Sequence, residues 1–417
     1  MHDFKYKNNE LYCEQVKVST IAHQVGTPCY IYSHHTLVDH FTKIKQAFTK
    51  LNPLICYAMK ANDNLAVLRT LQREGAGFDI VSVGELKKAL IVGADPKKIV
   101  FASVGKTEGE IIEAIRAGIL LFNVESQPEL EHINRVAGKM RKNVQVALRI
   151  NPDIEAPTHA KITTGSLKNK FGIDLKTSRK IFYSRQRYRN LTINGVHIHI
   201  GSQITVGTPF VKAVRRAVQF IAELESKGVA IQYLDIGGGL GIIYKNERPQ
   251  TAAQYARRIV PILEKTGLRL IMEPGRFIAG NAGIFVTRKL YLKDNGVKKF
   301  MIVDGGMNDL VRPSLYDAYH EIVPLKKSAA HKVRVDVVGP ICESGDVFAK
   351  NRLVENVKDG GLLAIMSDGA YGYVMSSNYN VRGRGPEVIV KGNRYAVTKP
   401  RETFKDLIRG ERVPDFI

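Results

Sequence analysis

No run of twenty apolar residues occurs in the 417-residue chain, so a membrane-spanning helix is not expected. The opening residues, Met1-His2-Asp3-Phe4-Lys5, lack the apolar core of a secretory signal, and a cytoplasmic location is the expectation. Cysteine is sparse. Cys13, Cys29, Cys56 and Cys342 are widely spaced and form no CxxC pair, which argues against a metal site of the zinc type and against a disulfide framework. Basic residues outnumber acidic ones by 62 to 40, a net charge of +22 that would suit nucleic acid or anionic substrates. Yet they are spread along the chain, and no basic run is interleaved with aromatics, so no nucleic-acid partner is expected. Internal repeats and low-complexity segments are absent too.

The rest of the composition is ordinary for a globular protein, with 44% hydrophobic and 24% charged residues. A chain of this length exceeds what one core usually supports, and two domains are expected. Between residues 54 and 275, eight short apolar or β-branched runs recur at 54–60, 78–83, 99–104, 121–125, 144–151, 193–202, 233–237 and 268–273. Segments of helical periodicity separate them. Those at 84–93, 107–118 and 126–138 each finish on a glycine that would serve as a C-terminal cap. Eight strand-helix units predict an α/β fold, a TIM-like (β/α)8 barrel, over residues 36–280; an open doubly wound sheet is the alternative. Residues 152–173, with two prolines, two interior glycines and Lys161, Lys168 and Lys170, read as a lid over the barrel mouth. Beyond residue 281 the rhythm becomes strand after strand. Runs at 285–292, 300–303, 333–338 and 362–366 and a hairpin at Gly392-Asn393 predict an all-β domain of residues 281–417, taking in strands near Tyr12 and Tyr30 from residues 1–35.

A barrel of this kind places its chemistry at the C-terminal ends of the strands, so polar residues there can be weighed as a set. Lys60 closes the first run, Leu54-Ile55-Cys56-Tyr57-Ala58-Met59. A lysine at a buried strand end can lose its proton and form an imine with a carbonyl, whereas a lysine on a surface helix stays solvated. The sixth run, Val196-His197-Ile198-His199-Ile200-Gly201-Ser202, puts both histidines on one side; either alone is more often structural, and His199 lies nearer the mouth. The seventh runs into Gly237-Gly238-Gly239-Leu240-Gly241, where side-chain-free backbone could direct amides at an anion or simply make a tight turn. It is not the spaced GxGxxG dinucleotide pattern. The eighth ends Met272-Glu273-Pro274-Gly275-Arg276. A buried carboxylate facing a pyridine-type nitrogen keeps that ring protonated, and an arginine beside it can grip a phosphate; separately each is an ordinary salt-bridge residue. Together these four strand ends describe a pyridoxal 5'-phosphate site.

The chain resembles a known family. Tyr57-Ala58-Met59-Lys60-Ala61-Asn62, His199-Ile200-Gly201-Ser202, Gly237-Gly238-Gly239 and Glu273-Pro274-Gly275-Arg276 are similar to motifs of the alanine-racemase-like, pyridoxal phosphate-dependent barrel decarboxylases. Arg312-Pro313-Ser314-Leu315-Tyr316-Asp317-Ala318-Tyr319-His320 and Cys342-Glu343-Ser344-Gly345-Asp346 resemble the branch acting on diaminopimelate. The resemblance implies that Lys60 forms an imine with the cofactor and that His199 stacks on its ring. It further implies that Ser202, Gly238, Gly239, Gly275 and Arg276 hold the phosphate, that Glu273 pairs with the ring nitrogen, and that Tyr371 touches the cofactor. For a small amino-acid substrate it implies Arg276, Arg312, Tyr316, Glu343 and Tyr371, with Cys342 as proton donor. It also implies a homodimer in which Cys342 and Glu343 enter the neighbouring subunit's site. Val83 is a departure: the family usually has two glycines after the serine, and this chain reads Ser82-Val83-Gly84. A racemase on the same barrel, a decarboxylase for ornithine, arginine or carboxynorspermidine, and a non-catalytic binding protein are the rival readings.

Overall fold

The computed structural model describes residues 2–154 and 170–417, which divide into two compact units. One unit comprises residues 38–243 and 247–278. Its eight strands are β1 Leu54–Ala58, β2 Gly77–Ile80, β3 Ile99–Phe101, β4 Leu121–Val124, β5 Val144–Arg149, β6 Leu191–His197, β7 Tyr233–Asp235 and β8 Arg269–Met272. All neighbouring pairs are parallel, and β8 closes onto β1 through Ile271 opposite Leu54 and Met272 opposite Ile55. The barrel expected from the eight apolar runs is therefore present, and the open sheet is not. The strands end earlier than the runs do. Lys60 sits in the single turn Met59–Ala61 after β1, and His199 lies two residues beyond β6.

Strand alternation layers the barrel interior. Cys56, Val100, Leu121, Ala147, Tyr233 and Ile271 pack together as one apolar layer. Gly195 is part of the same level: a Cβ there would lie 2.7 Å from the Ala147 Cβ, so only glycine lets the strands close at this point. Two residues further along the strands come Asp79, Asn123, Arg149, His197, Asp235 and Glu273, all buried. An apolar plug thus supports a polar floor.

The helices around the barrel carry strong start signals. Thr107 caps Glu108–Ala117 in a reciprocal capping box with Glu110, and Gly118 ends it in the left-handed conformation. Ser82 caps Val83–Ile91, followed by Gly93 at φ +76. The third expected cap differs. Gly138 lies inside Gln127–Lys139, and Met140 is the C-cap; a Cβ at Gly138 would meet Asn190 Nδ2 at 2.7 Å, so this glycine serves packing. The expected lid falls largely on residues 155–169, Lys161 and Lys168 among them, and that part lies outside the described residues. At its far end the chain rejoins the barrel, with Ile173 bridging to Ile150.

The second unit comprises residues 1–37, 244–246 and 279–417. Its central strand, Gly283–Asp294, pairs antiparallel with Cys29–Ser33, Lys299–Val303 and Leu362–Ile365. Glu387–Lys391 lies parallel to Cys29–Ser33 and forms the hairpin with Arg394–Lys399. Lys332–Val338 and Val347–Glu355 extend the other edge. Phe4–Lys7, Glu10–Cys13 and Val16–Lys17 make a separate three-stranded sheet. Ile21, Ile31, Ile284, Val286, Leu325, Ala364 and Val388 join a common apolar core, which is why the first 37 residues belong with the distant C-terminal strands.

Candidate active site

The barrel floor is an electrostatic unit. Lys60 Nζ donates to Asp79 Oδ2 at 2.7 Å, the lysine side chain 39% exposed and the aspartate wholly buried. Burial and the nearby Glu273 charge push the Asp79 carboxyl up to about 6, against the pull of Lys60. Asn123 Nδ2 donates to Glu273 Oε1 at 2.9 Å and to Asp235 Oδ2 at 3.1 Å. His197 Nε2 stands 3.4 Å from Glu273 Oε2, a charge contact. Burial alone would favour a neutral Glu273, but the His197 imidazolium, Lys60 and a hydrogen bond from Asp235 outweigh it and hold this carboxyl well below the usual range. Asp235 takes the opposite state: burial and the Glu273 charge push it well up, so it keeps its proton. His197 titrates above its ordinary value, since the Glu273 charge beside it more than offsets burial. Among the contacting side chains Asn123, His197, Asp235 and Glu273, the ionised carboxylate is therefore Glu273.

Above this floor the glycine loop is built by close approach. A Cβ at Gly237 would lie 2.7 Å from both His199 Nδ1 and the Ile198 carbonyl, at Gly238 2.2 Å from the Glu273 carbonyl, and at Gly239 2.4 Å from the Gly201 carbonyl. The Gly237 amide donates to Asp235 Oδ1 at 2.8 Å and the Gly238 amide to His199 Nδ1 at 3.2 Å. Gly238 is thus committed to orienting a ring, where the sequence suggested only a phosphate contact; its bond leaves His199 with its proton on Nε2. Burial and the cations Arg149 and Lys60 push His199 well below its usual pKa, so the ring is neutral. Ser202 Oγ accepts from Arg276 Nε at 3.3 Å and Nη2 at 3.1 Å. Gly275 lets the eighth strand end pass the first: a Cβ there would lie 3.0 Å from the Ala61 Cβ. Lys60, His199, Ser202, Gly238, Gly239, Glu273, Gly275 and Arg276 are therefore all in the barrel unit, on adjoining strand ends.

Several residues of the site carry no motif in the sequence. Asp79, Asn123 and Asp235 are single polar residues at alternate positions within apolar strands, and that placement was the available signal. Arg149 Nη1 pairs with Glu125 Oε1 at 2.5 Å, and Glu125 Oε2 accepts from the Gly172 amide at 2.8 Å. Lys106, fully buried, pairs with Glu129 at 2.6 Å and donates to the Asn123 carbonyl at 2.8 Å. Val83, the departure, has its amide bound to Glu110 Oε1 at 3.1 Å and starts a well-formed helix.

The remaining sequence candidates belong to the β unit. Arg312 is buried; its Nη1 lies 2.8 Å from His320 Nε2, and its Cζ stands 4.7 Å from the Tyr244 ring centroid. Tyr316 is half-buried at the end of the helix Arg312–Tyr316. Tyr371 adopts φ +61. Cys342 and Glu343 are exposed, the Cys342 amide donating to Asn380 Oδ1 at 3.0 Å.

Residues 34–280 match the family model described as pyridoxal-dependent decarboxylase, pyridoxal binding domain. Diaminopimelate decarboxylase of Vibrio cholerae is 45% identical, over 98% of both chains. The chain belongs to the diaminopimelate decarboxylase family. Among solved structures, diaminopimelate decarboxylase of M. jannaschii in co-complex with L-lysine superposes with a TM-score of 0.95 at 36% identity, covering 100% of both chains. That of Helicobacter pylori complexed with L-lysine gives 0.91 at 39% identity, covering 94% of this chain and 98% of that one. The cofactor of the family is pyridoxal phosphate, and the barrel residues fit it. A lysine beside a strand end, a buried carboxylate held ionised, a neutral ring set by a glycine amide, and a loop with no room for side chains are what that group requires.

Proposed function

We propose that this protein decarboxylates meso-2,6-diaminopimelate to L-lysine and carbon dioxide, the last step of lysine biosynthesis, using pyridoxal phosphate. The observation that carries the choice of substrate is Arg312. It is buried, and among the described residues its partners are neutral: a histidine nitrogen and a tyrosine face, with no carboxylate paired to it. A buried cation left without a counter-charge is unfavourable unless a ligand supplies one. A distal carboxylate does so; ornithine and arginine have none to offer.

Bound pyridoxal phosphate supplies the electron sink for the bond broken at the α-carbon. Glu273 would face the ring nitrogen and hold a proton there, a role that needs the ionised state the floor enforces. His199 would lie against the ring. Ser202, Gly239, Gly275 and Arg276 would receive the phosphate, with Gly238 contributing through its hold on His199, and Tyr371 would close over the cofactor. Arg276, Arg312, Tyr316, Tyr371 and Glu343 would bind the far end of the substrate and so decide which bond stands perpendicular to the ring. As carbon dioxide leaves, a proton must reach the same carbon; Cys342 would deliver it, with Lys60 as the second candidate. The exposure of Cys342 and Glu343 supports a homodimer in which each subunit lends these two residues to the other. The four free thiols suit the reducing cytoplasm.

Incubation with meso-diaminopimelate and pyridoxal phosphate is expected to release carbon dioxide and L-lysine in equal amounts, and Lys60→Ala to lose both that activity and the bound cofactor's absorbance at the edge of the visible range. Epimerised substrate without carbon dioxide would make the protein a racemase instead.

A further inference from the structure

The contacts of Arg312 have a direction. His320 Nδ1 lies 2.8 Å from the Met366 carbonyl oxygen, which can only accept, so that nitrogen carries the proton. Nε2 is then a lone pair, and Arg312 Nη1, 2.8 Å away, can only donate to it. The chain from Arg312 through His320 to Met366 is consistent only with a neutral imidazole. His320 is fully buried, and the Tyr244 ring meets it edge-on, with centroids 5.4 Å apart and planes at 73°. The same ring carries the Arg312 guanidinium on its face. The scaffold behind is fixed: the Met366 amide donates to the Glu321 carbonyl at 2.8 Å, and Arg352 Nη1 donates to the His320 carbonyl at 2.9 Å. Burial pushes the Asp368 carboxyl well up, although the Arg312 charge pulls the other way.

An acid in place of His320 would hold the arginine equally well but would neutralise it. A neutral acceptor on one N–H and an aromatic face below leave the positive charge and the remaining donors of the fork for an anion. We infer that His320, together with Tyr244, is a positioning residue that orients Arg312 toward the distal carboxylate of the substrate and thereby sets selectivity for diamino-dicarboxylates. The inference rests on the proposed role of Arg312 in substrate binding.

The test compares His320→Leu, His320→Gln, Tyr244→Leu and Arg312→Ala in steady-state decarboxylation of meso-diaminopimelate, with an absorbance titration of pyridoxal phosphate and a thermal melt for each. His320→Leu is expected to raise KM about 10- to 100-fold, the scale of a lost charge-assisted hydrogen bond, while kcat changes less than about 3-fold. Cofactor affinity is expected to hold. His320→Gln, which restores an acceptor oxygen, should recover most of the KM, and His320→Leu should add nothing once Arg312→Ala is present. If His320→Leu does not fold, Tyr244→Leu carries the same expectation, a raised KM with kcat kept. Arg312→Ala raising KM while the His320 and Tyr244 variants leave it unchanged would overturn this inference and spare the reading of Arg312. Arg312→Ala leaving KM unchanged would overturn both. An equal loss in KM, kcat and cofactor affinity in the His320 variants would make His320 a purely structural residue.

Discussion

Lys60 Nζ and Asp79 Oδ2 stand 2.7 Å apart at adjacent strand ends, and Asp79 is the buried partner. Because the Asp79 carboxyl is pushed up to about 6, the ion pair forms as pH rises through that value and is lost as pH falls below it. Asp79→Asn should therefore flatten the acid limb of kcat near pH 6 and lower kcat at pH 8 by about tenfold or more, on the scale of a lost charged contact. A pH-rate profile of the two proteins checks this.

Glu273 is held ionised by His197, Lys60 and Asp235 together. Glu273→Gln should leave substrate KM within a few-fold and cut kcat by about 100-fold or more, since its charge matters to the bond-breaking step and not to substrate binding. Stopped-flow absorbance of the bound cofactor should show a changed spectrum before any turnover.

Gly237 adopts φ +64 and would place a Cβ against His199 Nδ1 and the Ile198 carbonyl. Gly237→Ala is expected to cost about 1–3 kcal/mol of stability, from left-handed strain and the clash. It should also weaken cofactor binding, because His199 is what must move. Denaturant unfolding and a cofactor titration read the two effects.

In the β unit, burial raises the Asp309 carboxyl to about 7, against the hydrogen bond from the Gly306 amide and the charges of Arg382 and Arg401. A carboxyl raised on folding adds stability that is complete below its unfolded pKa and lost as pH climbs through the folded one. Wild-type stability should thus fall between about pH 4 and pH 7, by a few kcal/mol at most. Asp309→Asn should show a flatter profile, measured as denaturant midpoints across that range.

The eight strands were legible because a strand buried on both faces is mostly apolar, as at Ile99–Phe101. The same rule hid the floor. Asn123 and Asp235 look like lone interruptions until the barrel closes and brings them together with Glu273, 150 residues from Asn123. Lys60, His199 and Glu273 were legible as chemistry because they sit where such runs stop. Tyr244 was not, since its contact with Arg312 depends on residues 244–246 grouping with the β unit, which no local pattern announces. Gly138 shows a related limit: a glycine near a helix end looks the same whether it caps the helix or makes room for Asn190.

The central claim is that an uncompensated Arg312 selects a substrate with a second carboxylate. Carbon dioxide release should be measured side by side on meso-diaminopimelate, ornithine and carboxynorspermidine. The account predicts a kcat/KM for diaminopimelate at least about 100-fold above either competitor, the scale set when a site's charged group is left unpaired. Equal or faster release from ornithine or carboxynorspermidine would contradict it.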